Sequence, residues 1–270
     1  MMPKISRSAA LAVVFCCVFV AAALAGDDAR ICRAPSELTR LAYSLPRTAK
    51  RLINREPLTV VALGSSSTAG AGASSPDASY PSRLAAVLKE HFPSNAITVL
   101  NRGVNGEDAR EMLDRFATSV AAEKPDLVLW QVGTNSVLGG KPVSQVAALI
   151  REGVARMKAL GADVILIDAQ FAPRVLAKPE NEQMLTLLAT TARETSSGLF
   201  PRFAVMRRWR EIHNIPFEAF LSPDGLHMND WSYACIAKLL GDAIIEAASR
   251  AQPVAGANLH ARQAPMPPLP

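Results

Sequence analysis

The chain has 270 residues, of which 49% are hydrophobic and 20% charged, and its formal net charge is +5 at pH 7. This length suits one domain with a full core between terminal extensions. Because the charge is mild and no dense basic run occurs beyond Arg207, Arg208 and Arg210, nucleic acid is not favoured as a partner. Those three arginines flank Trp209 and indicate a solvated face or, as an alternative, one wall of a groove for an acidic glycan.

The first 25 residues have the pattern of a secretory signal peptide. Lys4 and Arg7 precede an apolar run over residues 9–24, and the segment closes on the small-residue exit Ala-Leu-Ala. The alternative is an uncleaved membrane anchor, but a spanning helix needs about 20 apolar residues. We predict cleavage after Ala25 and an exported protein, periplasmic or extracellular, with no stable membrane anchor. Cleavage would remove two basic residues and no acidic one, which lowers the net charge from +5 to +3.

The rest of the chain divides into three predicted parts: an N-terminal arm over residues 26–56, an α/β domain over 57–250, and a disordered tail rich in proline and alanine over 251–270. Short apolar runs alternate with helical patterns through the domain. This rhythm predicts parallel strands joined by crossover helices, in a three-layer α/β/α sandwich with a mostly parallel, five-stranded sheet. The predicted strands are Leu58–Leu63, Ile97–Leu100, Asp126–Val132, Asp163–Ile167 and Arg202–Met206. The predicted helices are Tyr80–His91, Asp108–Glu123, Val143–Leu160, Glu180–Thr195 and Trp231–Ser249.

The loops that follow these strands are the candidate functional segments, because ligands of open α/β sheets bind beyond the carboxyl ends of the strands. These loops are small and polar, and they contain one histidine. In chain order they read GSSSTAG from Gly64, NRGVNGED from Asn101, GTNS from Gly133, DAQFAPR from Asp168 and SPDGLHMND from Ser222.

His227 is the histidine of these loops, and it has a carboxylate, Asp224, three residues before it. An Asp-x-x-His loop lets the carboxylate bind Nδ1 of the ring, which leaves Nε2 free to accept a proton. The same spacing also occurs in ordinary solvated loops, so it does not establish a site alone. The triple-serine stretch is equally open: it fits a plain turn, a phosphate cradle or the seat of a nucleophile. A phosphate cradle is disfavoured because the lysine of a P-loop is missing.

Taken together, the loops resemble the active-site blocks of the SGNH (GDSL-type) serine hydrolase superfamily, over residues 58 to about 245. Block one of that superfamily is Gly-Asp-Ser-x-Thr, and this chain matches it at Gly64, Ser66 and Thr68. Block two resembles NRGVNGED, block three is Gly133-Thr134-Asn135, and the last block is Asp224-Gly225-Leu226-His227. The resemblance implies a flavodoxin-like SGNH hydrolase fold and no cofactor.

The resemblance also implies roles for individual residues. Ser66 would be the nucleophile, His227 the general base and Asp224 the carboxylate that orients it. The oxyanion hole would consist of the backbone N–H groups of Ser66 and Gly106 and the side-chain amide of Asn135. The chain departs from the pattern at two positions: Ser65 stands where the usual aspartate of block one would be, and Ser136 stands where many members have an aspartate after the asparagine.

From this we expect an exported serine esterase that hydrolyses carboxylic esters, with a preference for short acyl groups such as O-acetyl on carbohydrate. Alternatives at the same site are a lysophospholipase or thioesterase, or an acyltransferase. A different class of alternative is a non-catalytic envelope protein that binds glycan. Phe171 is a candidate substrate contact, with core packing as the alternative, and Trp130 and Gln131 are interpreted as ordinary sheet residues. The sequence does not indicate an oligomeric state.

Cleavage at the predicted site leaves two cysteines, Cys32 and Cys235. In an oxidising compartment such a pair favours a disulfide, which would tie the N-terminal arm to the final helix. The alternative is two separate buried thiols. Two cysteines without clustered histidines do not suit zinc, so no metal site is predicted.

Overall fold

A computed structural model describes Cys32 and residues 34–251. The predicted signal peptide and the segment 252–270 lie outside the described residues. Five strands form one parallel sheet in the order β2-β1-β3-β4-β5, which confirms the predicted fold class. The strands are β1 (Leu58–Gly64), β2 (Ile97–Gly103), β3 (Leu127–Gln131), β4 (Asp163–Ile167) and β5 (Gly198–Phe200).

Helices cover both faces of the sheet, and the alternation of side chains along each strand divides the core accordingly. In β1, Val60 and Ala62 point into one core and Val61 and Leu63 into the other. The first core contains α1 (Pro46–Ile53), α2 (Tyr80–His91), α6 (Arg202–Glu211) and α7 (Asp230–Arg250); the second contains α3 (Ala109–Asp114), α4 (Val143–Ala159) and α5 (Asn181–Glu194). Shorter helical turns lie at Ser36–Thr39, Ser66–Ala69, Pro76–Ala78, Phe116–Ser119, Ala121–Glu123, Thr134–Leu138, Pro173–Leu176 and Phe217–Phe220.

The predicted fifth strand, Arg202–Met206, is wrong, because these residues begin helix α6. The burial there has helical spacing: Phe203, Met206 and Trp209 are buried while Arg207 and Arg210 are exposed. The true fifth strand has only three residues, which is too short to show a period. The predicted helix Asp108–Glu123 is also broken, into α3 and two short turns.

Part of the predicted N-terminal arm belongs to the core. Leu41, Leu45 and Leu52 are buried against it. Cys32 and Cys235 form a disulfide in this structure, with their α carbons 5.2 Å apart, and Cys235 lies in α7. The arm is thereby connected to the last helix of the domain. Among residues 34–251 no helix is long and apolar enough to cross a membrane.

Candidate active site

Ser66, Asp224 and His227 come together at the carboxyl end of the sheet. Ser66 begins the helical turn directly after β1, and the other two residues lie in the loop between α6 and α7. His227 Nε2 is 2.7 Å from Ser66 Oγ, and His227 Nδ1 is 2.5 Å from Asp224 Oδ2. The histidine ring therefore connects a serine hydroxyl to a carboxylate through hydrogen bonds at both of its nitrogens.

The loop that carries Asp224 and His227 is closed at its base by an antiparallel bridge between Leu221 and Met228. Inside it, the Ser222 N–H donates to the His227 carbonyl at 2.8 Å, and Gly225 has a φ of +65°, which favours glycine. The closed loop keeps the two side chains of the Asp-x-x-His spacing beside each other.

The Asp224 carboxylate is held by four donors. Its Oδ1 accepts hydrogen bonds from the Ser222 hydroxyl (2.7 Å) and from the N–H groups of Leu226 (3.0 Å) and His227 (2.9 Å), and its Oδ2 faces the His227 ring. Partial burial acts to raise the pKa of Asp224, but these hydrogen bonds outweigh it, and the pKa lies well below its usual value. Asp224 is therefore a carboxylate at neutral pH and can stabilise a positive charge on the ring.

The turn that presents Ser66 is organised by Gln131, the last residue of β3. Gln131 Oε1 accepts hydrogen bonds from the backbone N–H of Ser65 (3.0 Å), the Ser65 hydroxyl (3.1 Å) and the Thr68 hydroxyl (3.2 Å). Ser65 thus keeps a hydrogen-bonding role where the superfamily has aspartate. The sequence alone indicates that Gln131 is an ordinary sheet residue and does not reveal this contact with Ser65. The available signal was a polar amide at the end of a continuous apolar strand.

Glycine is the only residue type that this turn accommodates at position 64. A Cβ on Gly64 would lie 2.1 Å from Thr68 Oγ1 and 2.9 Å from Gln131 Oε1. On the other side, the Asn101 side chain of β2 donates to the Thr68 carbonyl at 2.8 Å. The turn is therefore fixed by both strands that neighbour β1.

Gly106 and Asn135, the candidate oxyanion donors, are connected through the residue after Gly106. Asn135 Nδ2 donates to the Glu107 carbonyl at 2.8 Å. Gly106 is exposed and has a φ of +85°, and a Cβ there would meet nothing within 4 Å, so backbone conformation rather than crowding favours glycine. Ser66 is the first residue of its helical turn, where N–H groups have no acceptor within the helix.

The remaining features discussed for the site from the sequence are Phe171, Ser136 and a metal site. Phe171 is only 6% exposed, and its ring packs 5.1 Å from Phe203 and 5.9 Å from Phe217, so substrate contact stays a prediction. The Ser136 hydroxyl is buried without a hydrogen-bond partner. Over residues 34–251, no three acidic, histidine or cysteine side chains are grouped so that they could hold a metal ion. A cavity of about 290 Å³ borders the loop of Asp224 and His227; it is lined by Pro173, Phe217, Glu218, Leu221, Ser222, Pro223 and Gly225.

A parallel sheet in this strand order, with a hydrogen-bonded serine, histidine and aspartate beyond its carboxyl end, is the arrangement of an SGNH-type hydrolase, a class of enzymes that act on ester bonds. The comparisons with known proteins agree. The chain belongs to the non-GDSL lipase-like family, whose model matches residues 31–250.

Two curated proteins and one solved structure illustrate the likeness. An arylesterase of Vibrio mimicus is 25% identical over 62% of this chain and 79% of its own length. Thioesterase 1/protease 1/lysophospholipase L1 of Escherichia coli is 26% identical over 63% of this chain and 76% of its own length. A two-domain esterase active on acetylated mannans matches with a TM-score of 0.65 at 20% identity, over 80% of this chain. The chain spans only 56% of that structure, and at this identity the likeness concerns the fold.

Proposed function

We propose that this ester hydrolase is an exported serine esterase that works through an acyl-enzyme on Ser66. The observation that carries the proposal is the continuous hydrogen-bonded arrangement of Ser66 Oγ, the His227 ring and the Asp224 carboxylate, with distances of 2.7 and 2.5 Å. A serine hydroxyl is a weak nucleophile until a base removes its proton, and His227 Nε2 lies where that base is needed.

In the proposed reaction, Ser66 Oγ attacks the ester carbonyl carbon while His227 Nε2 takes its proton. The imidazolium then gives this proton to the leaving alcohol as the carbon–oxygen bond breaks. In the second half, water loses a proton to His227 and attacks the acyl-enzyme, which releases the acid and restores Ser66. The negatively charged Asp224 stabilises the imidazolium in both halves.

The oxyanion of each tetrahedral intermediate would be bound by the N–H groups of Ser66 and Gly106 and by Asn135. Asn135 Nδ2 has two N–H groups, and the hydrogen bond to the Glu107 carbonyl uses one of them, so one is left for the oxyanion. Each such donor is typically worth about 3 kcal/mol of transition-state stabilisation.

For the substrate we propose short acyl groups, in particular O-acetyl groups on carbohydrate. The structural neighbour that acts on acetylated mannans supports this direction. The curated relatives support two alternatives, since one is named an arylesterase and the other a thioesterase and lysophospholipase. Acyl transfer to a sugar hydroxyl would use the same residues, with that hydroxyl in the place of water.

A substrate screen tests this proposal. The purified mature protein should hydrolyse p-nitrophenyl acetate faster than esters of longer acids and release acetate from acetylated mannan or xylan, and the Ser66→Ala variant should do neither. A fluorophosphonate probe, which labels activated serines, separates the enzyme from a non-catalytic glycan-binding protein. A folded wild-type protein that the probe leaves unlabelled would contradict the proposal.

Export is proposed from the N-terminal pattern and from the disulfide. Protein recovered from the periplasm or medium should begin at Gly26, and mass analysis that finds Met1 on it would contradict cleavage. The exported protein should resist alkylation until it is reduced, because the proposed bond between Cys32 and Cys235 would leave neither thiol free. Two free thiols in the native exported protein would count against this pairing.

A further inference from the structure

The loop after β4 carries a buried amide, Gln170, that the proposed reaction does not use. Its side chain is only 1% exposed. Gln170 Nε2 donates to the Leu226 carbonyl at 3.3 Å, and Gln170 Oε1 accepts from the Thr134 hydroxyl at 3.4 Å. Leu226 directly precedes His227, and Thr134 directly precedes Asn135.

Gln170 is itself held by a buried arginine, the first residue of α6. Arg202 is fully buried; its Nη2 donates to Gln170 Oε1 at 3.0 Å and its Nε donates to the Asp168 carbonyl at 3.0 Å. An arginine guanidinium is planar and presents its donors at fixed angles. The two hydrogen bonds therefore fix where the Gln170 amide can lie relative to the end of β4.

We infer that Gln170 is a positioning residue for the proposed reaction, because one buried amide fixes the loop of His227 relative to the helical turn of Asn135. The base and the oxyanion donor must have the correct position and orientation relative to each other as well as to Ser66. Displacements of about 1 Å by a change remote from the reacting atoms can slow a reaction about 10²-fold. This inference rests on the proposed function.

The decisive variant is Gln170→Glu. In its ionised form, a glutamate keeps the size of the side chain and an acceptor for Arg202 and Thr134, but it has no hydrogen to donate to the Leu226 carbonyl. Gln170→Ala removes all three contacts and serves as the second variant. The matched control is Thr48→Val, since Thr48 is also fully buried, and its hydroxyl donates to Asp163 at the opposite end of the sheet.

We expect Gln170→Glu to lower kcat and the rate of fluorophosphonate labelling together by about tenfold or more, with KM within about twofold of the wild-type value. Thr48→Val should lower the melting temperature and leave kcat and labelling unchanged. A residue that acted only on stability would behave as this control does, since labelling of the folded protein would keep its rate.

The outcomes separate the two proposals. If the wild-type protein is labelled at Ser66 and folded Gln170→Glu is labelled at the same rate, the positioning role is wrong and the proposed function stands. If the wild-type protein is not labelled, the proposed function fails, and the positioning role fails with it. If Gln170→Ala does not fold, Gln170→Glu alone decides, because its contacts with Arg202 and Thr134 are retained.

Discussion

Two buried carboxylates, Asp126 at the amino end of the sheet and Asp168 at the carboxyl end, are stabilised to different degrees. At the amino end, Asp126 is 2% exposed, and its Oδ1 accepts hydrogen bonds from Arg47 and Arg51, both at 2.8 Å. At the carboxyl end, Asp168 is 5% exposed, and its carboxylate accepts a hydrogen bond from the Phe203 N–H at 2.8 Å. The neighbouring Arg202 donates to the backbone carbonyl of Asp168 instead.

The pKa values of Asp126 and Asp168 reflect this difference in hydrogen bonding. Burial acts to raise the pKa of Asp126, but hydrogen bonds from Arg51, the Thr59 N–H and Arg47 outweigh it and lower the pKa below its usual value. Burial raises the pKa of Asp168 to about 7, because the Phe203 N–H and the charge of Arg202 offset it only in part.

The comparison teaches that two arginines compensate the charge of buried Asp126, whereas the charge of buried Asp168, at the end of the sheet where the candidate site lies, is compensated only in part. Perturbed titratable groups cluster near functional sites for this reason, although buried structural pairs can also produce them. We therefore expect variants at the carboxyl end to affect reaction rate and variants at the amino end to affect stability.

The largest expected effect is at the carboxyl end. Ser66→Ala should lower kcat by about 10³-fold or more, because the nucleophile and its base act as a unit. His227→Ala should cost a similar factor, and the double variant should add little. The melting temperature of each should stay near the wild-type value.

Ser65→Ala and Ser67→Ala are the controls for this prediction, measured by ester hydrolysis and by probe labelling. Both should keep substantial activity, with Ser65→Ala the weaker because it loses its hydroxyl contact with Gln131. If either variant abolished labelling while Ser66→Ala kept it, the assignment of the nucleophile would be wrong.

The next effect concerns Asn135. Asn135→Ala should lower kcat by roughly 10²-fold with little change in KM, since its amide acts on a charge that develops only in the transition state. Steady-state kinetics with p-nitrophenyl acetate measure both constants. A rise in KM at unchanged kcat would instead mean that Asn135 binds the ground state.

At the amino end of the sheet, we expect a substitution to lower stability and to leave the reaction rate nearly unchanged. Asp126→Asn should lower the free energy of unfolding by about 2–3 kcal/mol, because two charged hydrogen bonds to a buried carboxylate are weakened. Its kcat should stay within about twofold of wild type. The matched control is Asp242→Asn, whose exposed ion pair with Lys238 should contribute less than about 1 kcal/mol. Denaturant unfolding measures both, and a large loss of activity in folded Asp126→Asn would break the contrast between the two ends.

The sequence carried enough information for the fold and for the positions of the site residues. Continuous apolar strands identified β1, β3 and β4 because both faces of a parallel strand are buried. The same reasoning misplaced β5, because three residues show no period and the amphipathic start of α6 contains a similar apolar run. Ser66, Asp224 and His227 could be proposed because the loops after the strands resemble the short sequence blocks of the superfamily, which are local properties of the chain.

The supporting residues could not be found in this way. Gln131 and Gln170 act through contacts with residues 66 and 56 positions away in sequence, and each looks like an isolated polar residue in its own segment. Buried amides of this kind are recognised only when the partner groups are known, since the chain itself does not reveal which donor or carbonyl lies opposite.

The pH dependence of stability sharpens the comparison between Asp126 and Asp168. Burial raises the pKa of Asp168 in the folded protein from its ordinary value of 3.8 to about 7, so the folded protein binds more protons than the unfolded chain between these values. Stability from this group is therefore present in acid and lost as the pH rises from about 4 to about 7. The pH dependence of stability from Asp126 has the opposite sign: its lowered pKa contributes stability that is lost as the pH falls below about 4.

The variant Asp168→Asn keeps the acceptor for the Phe203 N–H and removes the titrating carboxyl group. Relative to wild type, this variant should gain on the order of 2–3 kcal/mol in unfolding free energy between pH 5 and pH 8. Denaturant unfolding at both pH values measures this gain. A difference between variant and wild type that does not change with pH would show that Asp168 is compensated as fully as Asp126, and the contrast between the two ends would then be wrong.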